Sequence, residues 1–191
     1  MKSIKKTCSI CVFCSSQSGN NKAFLKTAYS LGKELSNKGY TIIYGGGETG
    51  MMGSLSRGVL ENQGNLIEVI PNYFNYKNTS KKKLSKVITT KSFHHRKNIM
   101  ISKADLFICL PGGFGTMDEL FEVIALNQLS VIKKNIVLID INNFWDTFKK
   151  LLNELKKKGF LYDIKKSNIY FKESIEQTIQ FIERIIINKE R

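Results

Sequence analysis

The stretch PGGFGTMDE, residues 111–119, follows a run of apolar residues (106–110) and precedes an amphipathic pattern. This order predicts a strand, then a phosphate-binding loop, then a helix. Glycines let backbone N–H groups approach an anion closely, and the N-terminus of the helix adds unpaired amides and the positive end of its dipole. The carboxylate of Glu119, just beyond the loop, indicates chemistry on a phosphorylated sugar rather than passive phosphate binding.

Strand and helix patterns alternate on both sides of this stretch. Strands are predicted at residues 7–14, 41–44, 65–70, 86–90, 106–110, 136–139 and 169–171. Helices are predicted at residues 21–38, 50–62, 94–102, 117–129, 145–157 and 174–188, and residues 71–85 are predicted to form a surface loop. The alternation predicts one α/β domain over residues 1–191, a doubly wound parallel sheet with helices on both faces and ligands at the carboxyl ends of the strands.

Length and composition narrow the class of protein. With 191 residues, 42% of them hydrophobic, the chain is long enough for one packed core and short for two. No apolar run reaches the roughly 18 residues that a membrane span needs, and the basic start lacks a small-residue cleavage site, so we expect a cytoplasmic protein without membrane contact. Its four cysteines, Cys8, Cys11, Cys14 and Cys109, fall in or beside predicted strands, so reduced thiols are expected. The first three have a metal-like spacing without a complete ligand set, and no metal site is predicted.

The formal net charge is +14, from 30 Lys and Arg against 16 Asp and Glu. A chain this basic attracts anions in general. Its lysines are scattered over predicted helix surfaces and loops, with no aromatic interleaving and no helix that reads bases. The charge therefore favours a solvated basic surface and no specific nucleic-acid partner, while a nucleic-acid-binding protein remains an alternative.

Three loops follow predicted strand ends and are expected to converge on one ligand. Ser15 and Ser16 follow the first strand, residues 45–47 (three glycines) follow the second, and the glycines of residues 112–115 follow the fifth. The pattern lacks both the acidic residue that would hold the ribose of a dinucleotide and the Gly-Lys-Ser or Gly-Lys-Thr ending of a P-loop. The predicted ligand is therefore a mononucleotide or a sugar phosphate.

Together these segments resemble the Lonely Guy family. The resemblance rests on GGG at 45–47 with GMMG at 50–53, on SFHHRK at 92–97, and on the PGGxGTxxE motif at 111–119, and it covers roughly residues 7–160. It implies a Rossmann-like fold, a homodimer, no cofactor, and hydrolysis of the N-glycosidic bond of N6-substituted AMP to free base and ribose 5-phosphate. Relatives usually have Met-His-x-Arg-Lys where this chain has Phe93-His-His-Arg-Lys97. Relatives have also been labelled lysine decarboxylases, but no pyridoxal-phosphate lysine context is recognisable here.

The resemblance makes Arg96 and Glu119 the catalytic pair. Cleavage between purine and ribose builds positive charge on the sugar and negative charge on the departing base. We expect Glu119 to stabilise the positive charge on the sugar, contact the ribose or activate water. Glu119 is predicted to lie in the first turn of its helix, where the dipole favours the ionised form. We expect Arg96 to stabilise the departing base or orient the substrate. The other expected substrate-binding residues are Ser15, Gly46, Gly47, Met52, Lys97 (anion attraction), Glu122 (ribose or Arg96) and, around the 5′-phosphate, Gly112, Gly113, Phe114, Gly115 and Thr116.

Plainer interpretations stand beside these. Residues 116–119 also fit a capping box, in which Thr116 caps the helix and Glu119 returns a hydrogen bond, although the preceding glycines favour the functional interpretation. Ser15 and Ser16 suit a helix-entry turn as well as a phosphate contact. A broader glycosidase acting on plain AMP and a non-catalytic nucleotide or cofactor carrier also remain open. A carrier would bind nucleotide without turnover, and Glu119→Gln would not affect it.

Overall fold

The computed structural model describes residues 8–72, 85–161 and 163–189, which contain seven strands and six α-helices. The strands are β1 (Ser9–Phe13), β2 (Thr41–Tyr44), β3 (Asn65–Pro71), β4 (Ser85–Thr90), β5 (Leu106–Cys109), β6 (Ile136–Ile139) and β7 (Ile169–Lys172). The helices are α1 (Lys22–Asn37), α2 (Gly50–Glu61), α3 (Phe93–Lys103), α4 (Phe114–Gln128), α5 (Asp146–Lys157) and α6 (Ile175–Lys189), with a short 3₁₀ helix at Ile164–Ser167.

The strands form one sheet in the order β4-β3-β2-β1-β5-β6-β7, and every neighbouring pair is parallel. The chain adds β2, β3 and β4 on one side of β1 and then crosses to add β5 on the other side. The direction of winding therefore changes between β1 and β5, and the crevice at this switch point is where open parallel sheets bind ligands. The predicted doubly wound parallel sheet is confirmed.

Helices cover both faces of the sheet because the central strands bury both faces. Along β1, Ile10 and Val12 belong to the core beneath α1, α2 and α6, whereas Cys11 and Phe13 belong to the core beneath α3, α4 and α5. Side chains of successive strand residues point to opposite faces, so an uninterrupted apolar strand serves two layers of helices. All four cysteines are free thiols, Cys8 half-buried and the others buried.

Helix α4 begins at Phe114, three residues before the predicted start at 117. Its N-cap is Gly113, which provides no side-chain hydrogen bond. Thr116 is therefore a buried residue inside the helix, and the capping-box interpretation of residues 116–119 is wrong. The predicted loop at 71–85 differs at both ends, since Pro71 completes β3 and Ser85 begins β4. Asn72 forms a turn, and residues 73–84, the remainder of that prediction, lie outside the described residues.

The amphipathic pattern of α4 divides between the core and the surface. Leu120 and Ile124 are buried in the core. Phe121 is 41% exposed, and Ala125, one turn further on, is also exposed. Helix α4 thus has an apolar strip that faces away from the sheet.

Candidate active site

A cavity of about 410 Å³ lies at the carboxyl edge of the sheet, over the switch point. Its volume is within the range of small-molecule sites, roughly 300–1,000 Å³. The predicted site residues that line it are Ser15, Gly46, Met52, Arg96, Gly113, Phe114, Gly115, Thr116 and Glu119. The predicted residues Gly47, Lys97, Gly112 and Glu122 are not part of its lining. The lining also includes Ser16 and Gly45, which belong to the loops predicted to converge on the ligand, and residues not predicted to bind substrate, namely Val12, Cys14, Gln17, Pro71 and Phe93.

An ion pair between Arg96 and Glu119 crosses the cavity wall. Arg96 Nη1 lies 2.9 Å from Glu119 Oε1, and the two side chains are only 12% and 9% exposed. Arg96 Nε donates a hydrogen bond to the backbone carbonyl of Val69 at 3.0 Å. The guanidinium also lies directly over Gly45, where a side chain would overlap it. Strand β3, the loop after β2 and helix α4 therefore fix the orientation of this arginine.

Burial dominates the titration of Glu119. Desolvation raises the pKa of Glu119 above its ordinary value, although the charge and hydrogen bond of Arg96 lower it. Because α4 starts at Phe114, Glu119 lies in the second turn of the helix rather than the first. The expectation that the helix dipole keeps this carboxylate ionised is therefore corrected, since the dipole effect is confined to the first turn. Arg96 supplies the stabilising positive charge instead.

The N-terminus of α4 opens into the cavity through residues 113–116. Backbone amides in the first turn of a helix have no partner within the helix, and the Gly113 cap supplies no side-chain acceptor. Gly112 lies behind this loop, where an added Cβ would overlap the side chain of Thr116. Gly112 therefore leaves room for Thr116, and the amides that face the cavity belong to the residues after it.

The N-terminus of α2 is occupied by protein carbonyls. Met52 N donates to Ser15 O at 3.1 Å, and Met51 N approaches Gln17 O at 3.4 Å. The hydroxyl of Thr49 donates to Ser16 O at 3.0 Å. The segment after β2 therefore holds the β1–α1 loop in place. Because these α2 amides already have carbonyl partners, the N-terminus of α4 is better suited than that of α2 to receive an anion.

The side chain of Ser15 fits both interpretations offered by the sequence. Its hydroxyl accepts a hydrogen bond from Gln17 N at 2.9 Å, which makes a turn, and the residue also lines the cavity.

Lys97 joins α3 to α4 instead of facing the cavity. Its Nζ lies 2.9 Å from Asp118 Oδ2 and 2.7 Å from Glu122 Oε2. Burial lowers the pKa of Lys97, but hydrogen bonds to Glu122 and Asp118 outweigh it, so that the net shift is upward. The expected roles of Lys97 in attracting anions and of Glu122 in contacting the ribose or Arg96 are not what this geometry shows, because the two side chains pair with each other.

The thiols near the site stay protonated. Burial raises the pKa of Cys14, which lines the cavity, and the charge of Glu119 raises it further. Burial likewise raises the pKa of Cys11 and Cys109. Since the thiolate is the nucleophile and the metal ligand, these groups contribute packing rather than reactivity.

In the part of the chain that the structure describes, no group of three or more His, Cys, Asp or Glu side chains is arranged to hold a metal ion. None of the helices in that part has the length and apolar character needed to cross a membrane.

Comparison with known proteins adds a family and two relatives. A family model described as "Possible lysine decarboxylase" matches residues 52–182. The chain is 32% identical over 177 residues to cytokinin riboside 5′-monophosphate phosphoribohydrolase LOG2 of Arabidopsis thaliana, covering 93% of this chain and 83% of that protein. It is 37% identical over 152 residues to cytokinin riboside 5′-monophosphate phosphoribohydrolase LOG of Oryza sativa subsp. japonica, covering 80% of this chain and 63% of that protein.

A solved structure supports the fold. The molybdenum cofactor binding protein of Rippkaea orientalis superposes with a TM-score of 0.70 at 24% identity, over 95% of this chain and 99% of that one. At this identity the likeness concerns the Rossmann-like fold alone. Family membership rests on the matched model and on the two phosphoribohydrolases, whose similarity extends through the glycine loops and the Arg96 and Glu119 segments. This chain belongs to the Lonely Guy family, the family of the cytokinin riboside 5′-monophosphate phosphoribohydrolases.

Proposed function

We propose that this protein hydrolyses the N-glycosidic bond of an N6-substituted AMP, releasing the free base and ribose 5-phosphate. The observation that carries the proposal is the buried Arg96–Glu119 pair in the wall of a cavity that also contains the open N-terminus of α4. The activity named for the relatives is this hydrolysis of a riboside 5′-monophosphate. We propose that residues 1–191 form a single domain that carries the whole reaction.

The phosphate end of the substrate belongs at α4. Backbone amides of residues 113–116 and the hydroxyl of Thr116 are donors without formal charge. Among the lining residues, the cationic side chain is Arg96, and it is paired with Glu119. A site that meets its anion with helix amides suits one phosphate group, because each added phosphate brings charge without an added cation.

The reaction itself needs stabilisation of two opposite charges. As the bond between C1′ and the purine nitrogen breaks, its electron pair leaves with the base, and positive charge spreads over C1′ and the ring oxygen. The carboxylate of Glu119 stabilises that positive charge and directs a water to C1′. Arg96 donates towards the departing base from a position fixed by Val69 and Gly45. The water's oxygen bonds to C1′ and one of its protons passes to solvent, while the departing base takes up a proton from solvent.

Glycosidase activity on plain AMP is the nearest alternative, since the described lining shows no group dedicated to an N6 substituent. A carrier is less well supported, because a buried ion pair beside the sugar position has no evident use in passive binding.

The test compares AMP with N6-isopentenyl-AMP, following base and ribose 5-phosphate by chromatography. Base release should be lost in Glu119→Gln and Arg96→Ala and kept in the control Phe160→Ala, whose side chain is 79% exposed outside the cavity lining. The faster substrate defines the base preference. Tight nucleotide binding without release from either substrate would overturn hydrolysis and favour a carrier.

We also propose a cytoplasmic homodimer that associates through the exposed strip of α4. The strip contains Phe114 and Phe121, which are 96% and 41% exposed, and continues to Ala125. Large apolar side chains in one exposed strip are typical of an interface. Light scattering should give twice the 21.8 kDa of one chain, and Ala125→Glu should lower it to the monomer value. A monomeric wild type contradicts the dimer and leaves the hydrolase proposal intact.

A further inference from the structure

The cavity has two ends, on opposite sides of the ion pair. One end is formed by residues 113–116 at the start of α4, which follows β5, and the other by Pro71 at the end of β3 and Phe93 at the start of α3. In the sheet β1 and β2 separate β5 from β3. Three strand spacings of roughly 4.8 Å put the ends about 14 Å apart. Arg96 spans the middle, since it contacts Val69 of β3 and Glu119 of α4.

We propose that Phe93 stacks on the purine ring of the substrate and thereby supplies part of the affinity for the base. The inference rests on the proposed function, because it takes the phosphate to lie at α4 and the ribose at the ion pair. A nucleoside monophosphate joins phosphate, pentose and base in that order. With the first two placed, the base reaches the end formed by β3 and α3.

Phe93 is held in a position suited to stacking. It is 47% exposed, whereas Phe13 and Phe107 in the core are 2% and 0% exposed. It is the first residue of α3, directly after the N-cap Ser92, whose hydroxyl accepts from His95 N at 3.1 Å. The guanidinium carbon of Arg96 lies 5.9 Å from the ring centroid, within the range of a cation–π contact. Cap and cation together order the ring at the cavity wall before any ligand arrives.

Several other residues that line the cavity suit a flat apolar face better than an anion. Pro71 is buried, Met52 is half-buried, and Gly46 has a φ of +73° and no side chain. The other aromatic residue of the lining, Phe114, is the first residue of α4 and so lies at the phosphate end. Of the two rings, Phe93 is therefore the one within reach of the base.

Stacking on an aromatic ring makes a prediction specific to this chain. A methionine thioether, unlike a phenyl ring, offers no planar face for a base to stack on. Base–aromatic stacking changes binding by about 5- to 150-fold when the ring is removed. Phe93→Ala should weaken the binding of a purine nucleotide by a factor in this range. Phe93→Met should weaken it less than Phe93→Ala does, and Phe93→Tyr, which keeps an aromatic ring, should bind the nucleotide as the wild type does.

The experiment separates the base from the rest of the substrate. In a Glu119→Gln background, which prevents turnover, the fluorescent nucleotide 1,N6-etheno-AMP is titrated into proteins with Phe, Ala, Met or Tyr at position 93. Ribose 5-phosphate, which lacks the base, is measured by competition. Stacking predicts quenching of the etheno fluorescence by the proteins with Phe or Tyr, weaker nucleotide binding by the Ala protein, and unchanged binding of ribose 5-phosphate. Phe160→Ala is the matched control for loss of an exposed ring.

Each other outcome overturns the proposal. Equal weakening of both ligands would mean that Phe93 only supports Arg96, and unchanged nucleotide binding would mean that the ring does not touch the base. Failure of every variant to bind the nucleotide would also overturn it. The proposed hydrolysis is judged separately, by base release from the wild type, so Phe93-dependent binding without release would contradict the function and keep the stacking.

Discussion

Replacement of Gly45 by alanine probes the placement of Arg96 with a single methyl group. A Cβ at this position lies 2.9 Å from Arg96 Cζ and closer still to Nη2. Gly45 is not among the glycines with positive φ, so alanine meets no backbone strain there. The guanidinium must therefore move, and movement breaks the 3.0 Å bond to Val69 O or the 2.9 Å pair with Glu119.

The expected magnitude follows from what Arg96 stabilises. Loss of one preorganised donor at a site of developing charge lowers kcat by about 100- to 1,000-fold, or about 2.7–4 kcal/mol. Breaking a buried ion pair by deleting one partner costs about 3–5 kcal/mol of stability. Because Arg96 is displaced and not deleted, we expect Gly45→Ala to lose less stability than this while losing most of its activity.

The assay combines base release from N6-isopentenyl-AMP with thermal unfolding of four proteins: wild type, Gly45→Ala, Arg96→Ala and the double variant. The two sites are in contact, so their effects should not add. Gly45→Ala should destabilise the wild type but not Arg96→Ala, in which the space is already empty. Full activity of Gly45→Ala, or equal destabilisation in both backgrounds, would refute the reasoning.

Other parts of the site lead to three further predictions. The raised pKa of Glu119 implies that kcat/KM increases with pH as this group ionises, with an apparent pKa above the ordinary value of about 4.3. A value of kcat/KM that instead falls with rising pH through that range would show that the protonated acid is required. Lys97→Met should lower the free energy of unfolding by about 1–3 kcal/mol and reduce kcat more than it raises KM, since it leaves Asp118 and Glu122 without their cation. Lys97→Arg should recover part of the lost stability and part of the lost kcat. Urea unfolding and steady-state kinetics measure the two effects. Cys14 should resist iodoacetamide at neutral pH in the folded protein and react after unfolding, which peptide mass spectrometry detects; rapid native alkylation would contradict the burial that raises its pKa.

Local patterns predicted the elements of the sheet well and the start of α4 poorly. β2 and β6 have the predicted bounds, because short apolar runs between turn residues leave little choice of strand. At residues 116–119 the pattern Thr-x-x-Glu has two structural solutions. The helix starts earlier, at Phe114, and Glu119 pairs with Arg96, a residue distant in sequence that no local pattern includes.

Periodicity and turn chemistry act over a few residues, so the alternation of strands and helices, the parallel sheet and the glycine loops at its carboxyl edge could all be predicted from local patterns. The family motifs in the sequence also marked Arg96 and Glu119. Local patterns do not show that amides of α2 donate to carbonyls of the loop at Ser15 while the N-terminus of α4 opens to the cavity. Nor do they show that Lys97 pairs with Asp118 and Glu122. These outcomes depend on which buried charges and amides meet across separate elements, and that is set by packing rather than by spacing along the chain.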